Sequence, residues 1–183
     1  MTTIGVLGTG GIADALATMF DRAGHEVRIG QGREVVAESA VVIPAVLGVQ
    51  GAVQRLRSWR PALRGKILVD ITNPFTGGHL DFVGPWAAGG AQDLARAFPE
   101  ARLVGAFKNV WWETFDGGPD SMAPVIRVIS DDEEAKETFL HLCGPTPFTF
   151  VDAGGLAQAR RVERMALSGA GAAGAFVTDA VGA

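Results

Sequence analysis

The sequence is poor in the residues that hold metals and staple small folds. Cys143 is its one cysteine and it has three histidines, His25, His79 and His141, scattered along the chain. That excludes a disulfide framework and a cysteine-built metal cluster, and three dispersed imidazoles do not make a metal site. Positive charge is not in excess either. Sixteen Lys and Arg stand against twenty Asp and Glu, a net charge of −4, so no nucleic-acid surface is expected. Long apolar runs are missing. The stretch 165–183 is mostly Ala and Gly and is interrupted by Asp179, too weak to cross a bilayer. Met1-Thr2-Thr3 leads straight into an apolar segment without a basic leader. These absences together lead us to expect a cytoplasmic chain with small-molecule rather than membrane partners.

What is present is an alternation of short apolar runs and helical patterns. The runs Ile4–Leu7, Val27–Ile29, Ala40–Ile43, Ile67–Ile71, Leu103–Phe107, Val125–Ile129 and Phe148–Val151 are expected strands. Between them, Ile12, Ala15, Leu16, Met19 and Phe20 recur at helical spacing, with Gly24 as the stop. Val49, Ala52, Val53 and Leu56 mark a short helix closed before Pro61, and Leu94, Ala97 and Phe98 mark another. Ser130-Asp131-Asp132-Glu133 reads as a capping box opening the helix of Ala135, Phe139 and Leu142. A final helix runs from about residue 155 with Leu156, Val162, Met165, Phe176 and Val177. Strands alternating with helices imply a single α/β domain over 1–183, with a Rossmann-type, doubly wound, mostly parallel sheet.

The chemistry starts at the first turn. Gly8-Thr9-Gly10-Gly11-Ile12-Ala13 fits G-x-G-x-x-A, between an expected strand and an expected helix, the context a dinucleotide phosphate turn needs. Gly8 allows the tight turn, Gly10 leaves the pyrophosphate unobstructed, and the helix N-terminus offers free amides and a positive dipole end. The second strand exits into Gly30-Gln31-Gly32-Arg33. An arginine there, with no acid at the strand tip, favours a 2′-phosphate and hence NADP; the alternative is a solvated charge cancelled by Glu34. Only residues 31–39 then separate Gly30 from Ala40. At roughly 3.3 Å per residue such a segment spans about 30 Å, enough to cross the sheet but not to form a helix as well. One edge strand and its helix are therefore expected to be missing, with a reduced wall at the adenine end.

Ligands in such sheets lie beyond the carboxyl ends of the strands. Three of those ends carry unusual residues: Pro44; Asn73-Pro74-Phe75; and Lys108-Asn109-Val110-Trp111-Trp112. Both prolines are also ordinary strand terminators. Lys108 could grip an anion or protonate an acceptor as a general acid, with Asn109 beside it, or it could reach to water. Trp111 and Trp112 could cover a nicotinamide or pack in a core. His79, in a Gly-rich loop, is a candidate substrate contact or a solvated side chain.

These segments, in order, resemble one family. Gly8-Thr9-Gly10-Gly11, Gly30-x-x-Arg33, Val42-Ile43-Pro44, Asp70-Ile71-Thr72-Asn73-Pro74, Val104-Gly105-Ala106-Phe107 and Asp152-Ala153-Gly154, with Arg160 and Glu163 beyond, are similar to NADP-dependent reductases of the deazaflavin coenzyme F-420. The soluble domain of six-transmembrane ferric reductases is similar too. The resemblance implies that Gly8, Thr9, Gly10 and Gly11 hold pyrophosphate and Arg33 the 2′-phosphate. It places Pro44, Asn73 and Pro74 at the nicotinamide. This chain departs from the family at Gln31-Gly32 and in its short second crossover. It also departs at Ala106-Phe107-Lys108-Asn109, where the family often reads Ala-Phe-Asn-Thr.

The expected activity is hydride transfer between NADP(H) and a deazaflavin or another small unsaturated acceptor. The alternatives are a biosynthetic imine, ketone or enone reductase with Lys108 as proton donor, a nucleotide-binding module without turnover, and a non-redox lyase or cyclase. Gly169, Gly171, Ala173 and Gly174 would let the final helix pack closely, so a homodimer is also an expectation.

Overall fold

A computed structural model describes residues 2–46, 48–73, 89–110 and 125–167. Five parallel strands form the main sheet: β1 (Thr3–Leu7), β2 (Glu26–Gly30), β3 (Val41–Pro44), β4 (Ile67–Asp70) and β5 (Arg102–Gly105), in the spatial order β2-β1-β3-β4-β5. The chain starts in the middle, winds one way to β2, then reverses to β3. The reversal opens a crevice at the carboxyl ends of β1 and β3, where ligands bind in sheets of this kind.

The strands are apolar on both faces because both faces are covered. Ile4, Val6, Val41, Ile43, Ile67, Val69 and Val104 face one core, with Leu16 and Phe20 of α1 (Gly11–Arg22) and Phe139 of α5 (Glu133–Cys143). Leu7, Val42, Leu68 and Leu103 face the other. There they meet α2 (Arg33–Ala37), α3 (Val49–Leu56), α4 (Gly90–Ala97) and α6 (Ala159–Leu167). Helices on both faces make the sheet doubly wound.

The short crossover differs from the sequence expectation. It does form a helix, the single turn and a half of α2, with Val35 and Val36 buried. The space comes from the sheet. A Cβ on Gly5 would lie 2.5 Å from Ser39 Oγ and 2.8 Å from the Val35 carbonyl oxygen, so α2 sits directly against the backbone of β1. Among the described residues β2 is the edge of the main sheet. α3 closes at Leu56, before Pro61, as expected, and a 3₁₀ helix over Arg57–Leu63, not foreseen from the sequence, follows it and contains Pro61.

The last two strands do not extend the parallel sheet. β6 (Val125–Val128) and β7 (Thr149–Asp152) pair with each other in parallel. They join the main sheet through an antiparallel bridge between Gly105 and Ile129. β5 stops at Gly105, short of the expected Phe107, because Phe107 turns into the left-handed region at φ 58°. The cap of α5 is also not the expected one. Asp132 is the N-cap and accepts the Ala135 N–H at 2.9 Å, while Ser130 donates to the Leu103 carbonyl at 2.6 Å. Asp132 also pairs with Arg102 at 2.7 Å, which with the cap hydrogen bond holds its carboxyl down at about 2.

Candidate functional site

At the crevice, β1 passes into α1 through Gly8-Thr9-Gly10. Gly10 has φ 89°, a conformation that L side chains rarely adopt, and a Cβ there would meet nothing within 4 Å. The turn thus needs glycine for its backbone and leaves open space above it. The first helical bond runs from Asp14 N–H to the Gly10 carbonyl at 3.0 Å. The amides of Gly11, Ile12 and Ala13 precede it, at the positive end of a helix that no side chain caps.

The β2 exit is tied to this turn. Gly8 N–H donates to the Gly30 carbonyl at 2.8 Å, and Gln31 Nε2 donates to Thr9 Oγ1 at 2.9 Å. Arg33 is exposed at the first position of α2. Glu34 folds back, its Oε1 1.9 Å from where a Gly32 Cβ would begin. An acid therefore does stand at this exit, delivered by a fold-back that strand periodicity does not reveal. On the other side of β1, Pro44 is buried as the last residue of β3, in register with Leu7.

The ends of β4 and β5 are built differently. Phe107 is buried and its ring meets Phe150 and Phe139 edge-on, at centroid distances of 5.6 and 6.5 Å. Its strained turn sends Lys108 inward. Lys108 Nζ lies 2.6 Å from Asp70 Oδ2 and 3.3 Å from Glu163 Oε1, and it donates to the Thr72 carbonyl. All three ionisable side chains are fully buried. The three N–H donors of the ammonium thus have three protein acceptors, and none is left for a substrate. Asp70 Oδ1 accepts from the Thr72 N–H at 2.8 Å and the Thr72 hydroxyl at 2.7 Å. Glu163 Oε1 accepts the Gly90 N–H at 2.9 Å, at the start of α4, while its Oε2 is buried without a hydrogen-bond partner. Burial pushes the Glu163 carboxyl above its usual range, against the pull of Lys108.

Asn109 is also inward and fully buried. Its amide donates to the Val125 carbonyl at 2.8 Å and accepts the Arg127 N–H at 2.9 Å, pairing like a short strand with β6. Asn73, at the β4 exit, has a buried Oδ1 with no partner. Of the other sequence candidates, Pro74, Phe75, His79, Trp111 and Trp112 lie outside the described residues, as do Gly169, Gly171, Ala173 and Gly174. Among the described residues there is no group of three or more metal-ligating side chains, and no helix is long and apolar enough to cross a membrane. Sequence reasoning gave no role to Asp70 and Glu163. An acid ending the apolar run Ile67-Leu68-Val69 was the available signal for Asp70.

The fold has close relatives among solved structures. An Arthrobacter protein named for F420-dependent NADP reduction superposes with a TM-score of 0.77 over 90% of both chains at 23% identity. An Aspergillus terreus reductive aminase in complex with NADPH and ethyl levulinate gives 0.67, over 93% of this chain and 61% of that one, at 20% identity. The fold is a Rossmann-like α/β fold. In sequence, the chain is 32% identical to rat metalloreductase STEAP3 and 26% identical to human metalloreductase STEAP2. Each match takes in 90% of this chain and 36% of the relative, so the chain spans about a third of their length. No family model matches the chain.

Proposed function

We propose that this Rossmann domain binds NADP(H) across the crevice and serves hydride transfer to a flat, unsaturated acceptor such as a deazaflavin of the F-420 type. The observation that carries the reading is the open helix N-terminus behind Gly10. Uncapped amides and an empty approach suit a pyrophosphate. The unpartnered Asn73 oxygen at the β4 exit fits as well, since it needs an N–H donor such as a carboxamide supplies. The named activities of the metalloreductase and NADP-linked relatives support the same class.

In this reading Gly10, Gly11 and Ile12 hold the pyrophosphate through their amides. Thr9 and Gln31 line the adenosine ribose, and Arg33 meets the 2′-phosphate. Pro44, Asn73 and Pro74 border the nicotinamide, which supplies the hydride when bound. Phe75, His79, Trp111 and Trp112 remain our candidates for the acceptor side. Lys108 and Asn109 act as positioning residues, because each is fully engaged by protein partners. That geometry weighs against an imine, ketone or enone reductase that uses Lys108 as its acid. A second reading, nucleotide binding without turnover, is favoured by β2 standing as the sheet edge among the described residues, which leaves the adenine side less walled. A cytoplasmic homodimer joined through the final helix stays a proposal, which light scattering checks.

Titration calorimetry with NADPH and NADH tests the binding, and bleaching of NADPH absorbance on adding deazaflavin tests the transfer. Binding of NADPH with no oxidation across a panel of deazaflavin, flavin and imine acceptors would move the chain to the second reading. No binding of either nucleotide would end both.

A further inference from the structure

Two carboxyl groups and one amine share the buried cluster beneath the β4 exit, and all three are fully buried. With every group ionised the cluster would hold one uncompensated negative charge, an arrangement that low-dielectric surroundings penalise heavily. A single proton on one carboxyl removes the excess. Asp70 is a poor host for it. One of its oxygens accepts two hydrogen bonds from Thr72 and the other lies 2.6 Å from the ammonium, so every contact favours its charged form. Glu163 lies farther from Lys108, at 3.3 Å, and one of its oxygens is bare.

We propose that Glu163 is a carboxylic acid in the folded protein and that its proton latches α6 to the strand ends that border the nucleotide crevice. Through Oε1 the acid reaches two other parts of the molecule. It accepts from Gly90 at the start of α4 and from Lys108, which in turn holds the Thr72 carbonyl one residue before Asn73. Loss of the proton to water would leave two buried carboxylates sharing one ammonium, and that excess charge reaches water when α6 withdraws. Among the described residues, Lys108 is the cation in an ion pair with each carboxyl. On α4, Asp93 and Arg96 pair with each other at the exposed surface, and on α6 Arg160 and Arg164 have interactions of their own. The α4 N-terminus adds its dipole at Gly90, and in the strand ends Asp70 and Lys108 are the facing ions. The effect on nucleotide rests on the proposed NADP(H) site, whereas the protonation itself does not.

The sign follows from the direction of the shift. A carboxyl raised on folding stabilises the fold below its unfolded pKa, and that contribution is lost as pH rises through the folded value. The test is thermal unfolding from about pH 6 to about pH 9 of wild type and Glu163→Gln, with the infrared carbonyl band of a protonated carboxyl recorded on wild type at neutral pH. Wild type should lose several degrees toward alkaline pH that the glutamine variant keeps, and the band should be present. Parallel melting curves, or no such band, overturn the latch. Should Glu163→Gln not fold, the infrared band on the unaltered protein decides alone. NADPH affinity measured over the same range should fall several-fold more in wild type than in the variant. Equal falls would remove the link to the crevice, while absence of NADPH binding would defeat the nucleotide reading and leave the melting and infrared results standing.

Discussion

The two sides of the crevice are built on opposite principles. At the β1–α1 turn the backbone does the work, through uncapped amides and a glycine with nothing above it. At the β4 and β5 exits the side chains do it, with a buried ion cluster and a buried asparagine holding loops in place. The first side is exposed, with open space above Gly10. The second is closed and holds several elements together. Changes at the open turn should therefore cost less stability than removal of the cation from the buried cluster.

The largest effect should come from breaking the closed side. Lys108→Met leaves Asp70 buried without its cation, and a loss of roughly 3–5 kcal/mol in denaturant unfolding is expected. A cost below about 1 kcal/mol would mean that water reaches the cluster. Next comes the open side. Gly10→Val puts a β-branched residue at φ 89° and ψ −176°, an essentially glycine-only region, and fills the approach, at about 1–3 kcal/mol in backbone strain. NADPH affinity should drop at least tenfold while the fold persists by circular dichroism; unchanged affinity would show that the nucleotide does not cross this turn.

Smaller changes sharpen the β2 exit. Arg33→Ala should weaken NADPH about tenfold and NADH little, on the scale of one charge-assisted contact. Glu34→Gln should shift the preference further toward NADPH, because a carboxylate folded over Gly32 repels a 2′-phosphate. If both substitutions leave the ratio of the two affinities unchanged, specificity is not set here. The smallest effect is expected away from the crevice, at the Asp132 cap. Its carboxyl is depressed on folding, so its contribution is complete above the unfolded pKa and is lost as pH falls through about 2. Asp132→Ala should cost about 1 kcal/mol near neutral pH as an N-cap, with solvent screening of the partly exposed Arg102 pair limiting the rest. The cost should vanish in strong acid.

Much of the fold was legible because its signals are local. Gly8, Gly10 and Ala13 sit at fixed spacing between an apolar run and a helical pattern, and the short 31–39 segment pointed to a direct return from β2 to β3. The helix inside that segment was not legible. It depends on Gly5, a residue in another strand, giving up the volume of a side chain. Likewise, the sequence pointed to Lys108 but not to its role. The apolar run before it looked like a strand through Phe107, and nothing local foretells a phenylalanine in the left-handed region.

The order of residues alone determined the Rossmann framework, its glycine turn and its shortened edge, since periodicity and turn chemistry act over a few neighbouring positions. The tertiary structure decided which charges meet. Asp70, Lys108 and Glu163 are far apart along the chain, and only packing of β4, the turn after β5 and α6 brings both carboxyls within 3.3 Å of the Lys108 ammonium. Electrostatic energy depends on distance and burial in space, and neither is written in the spacing of residues along the chain.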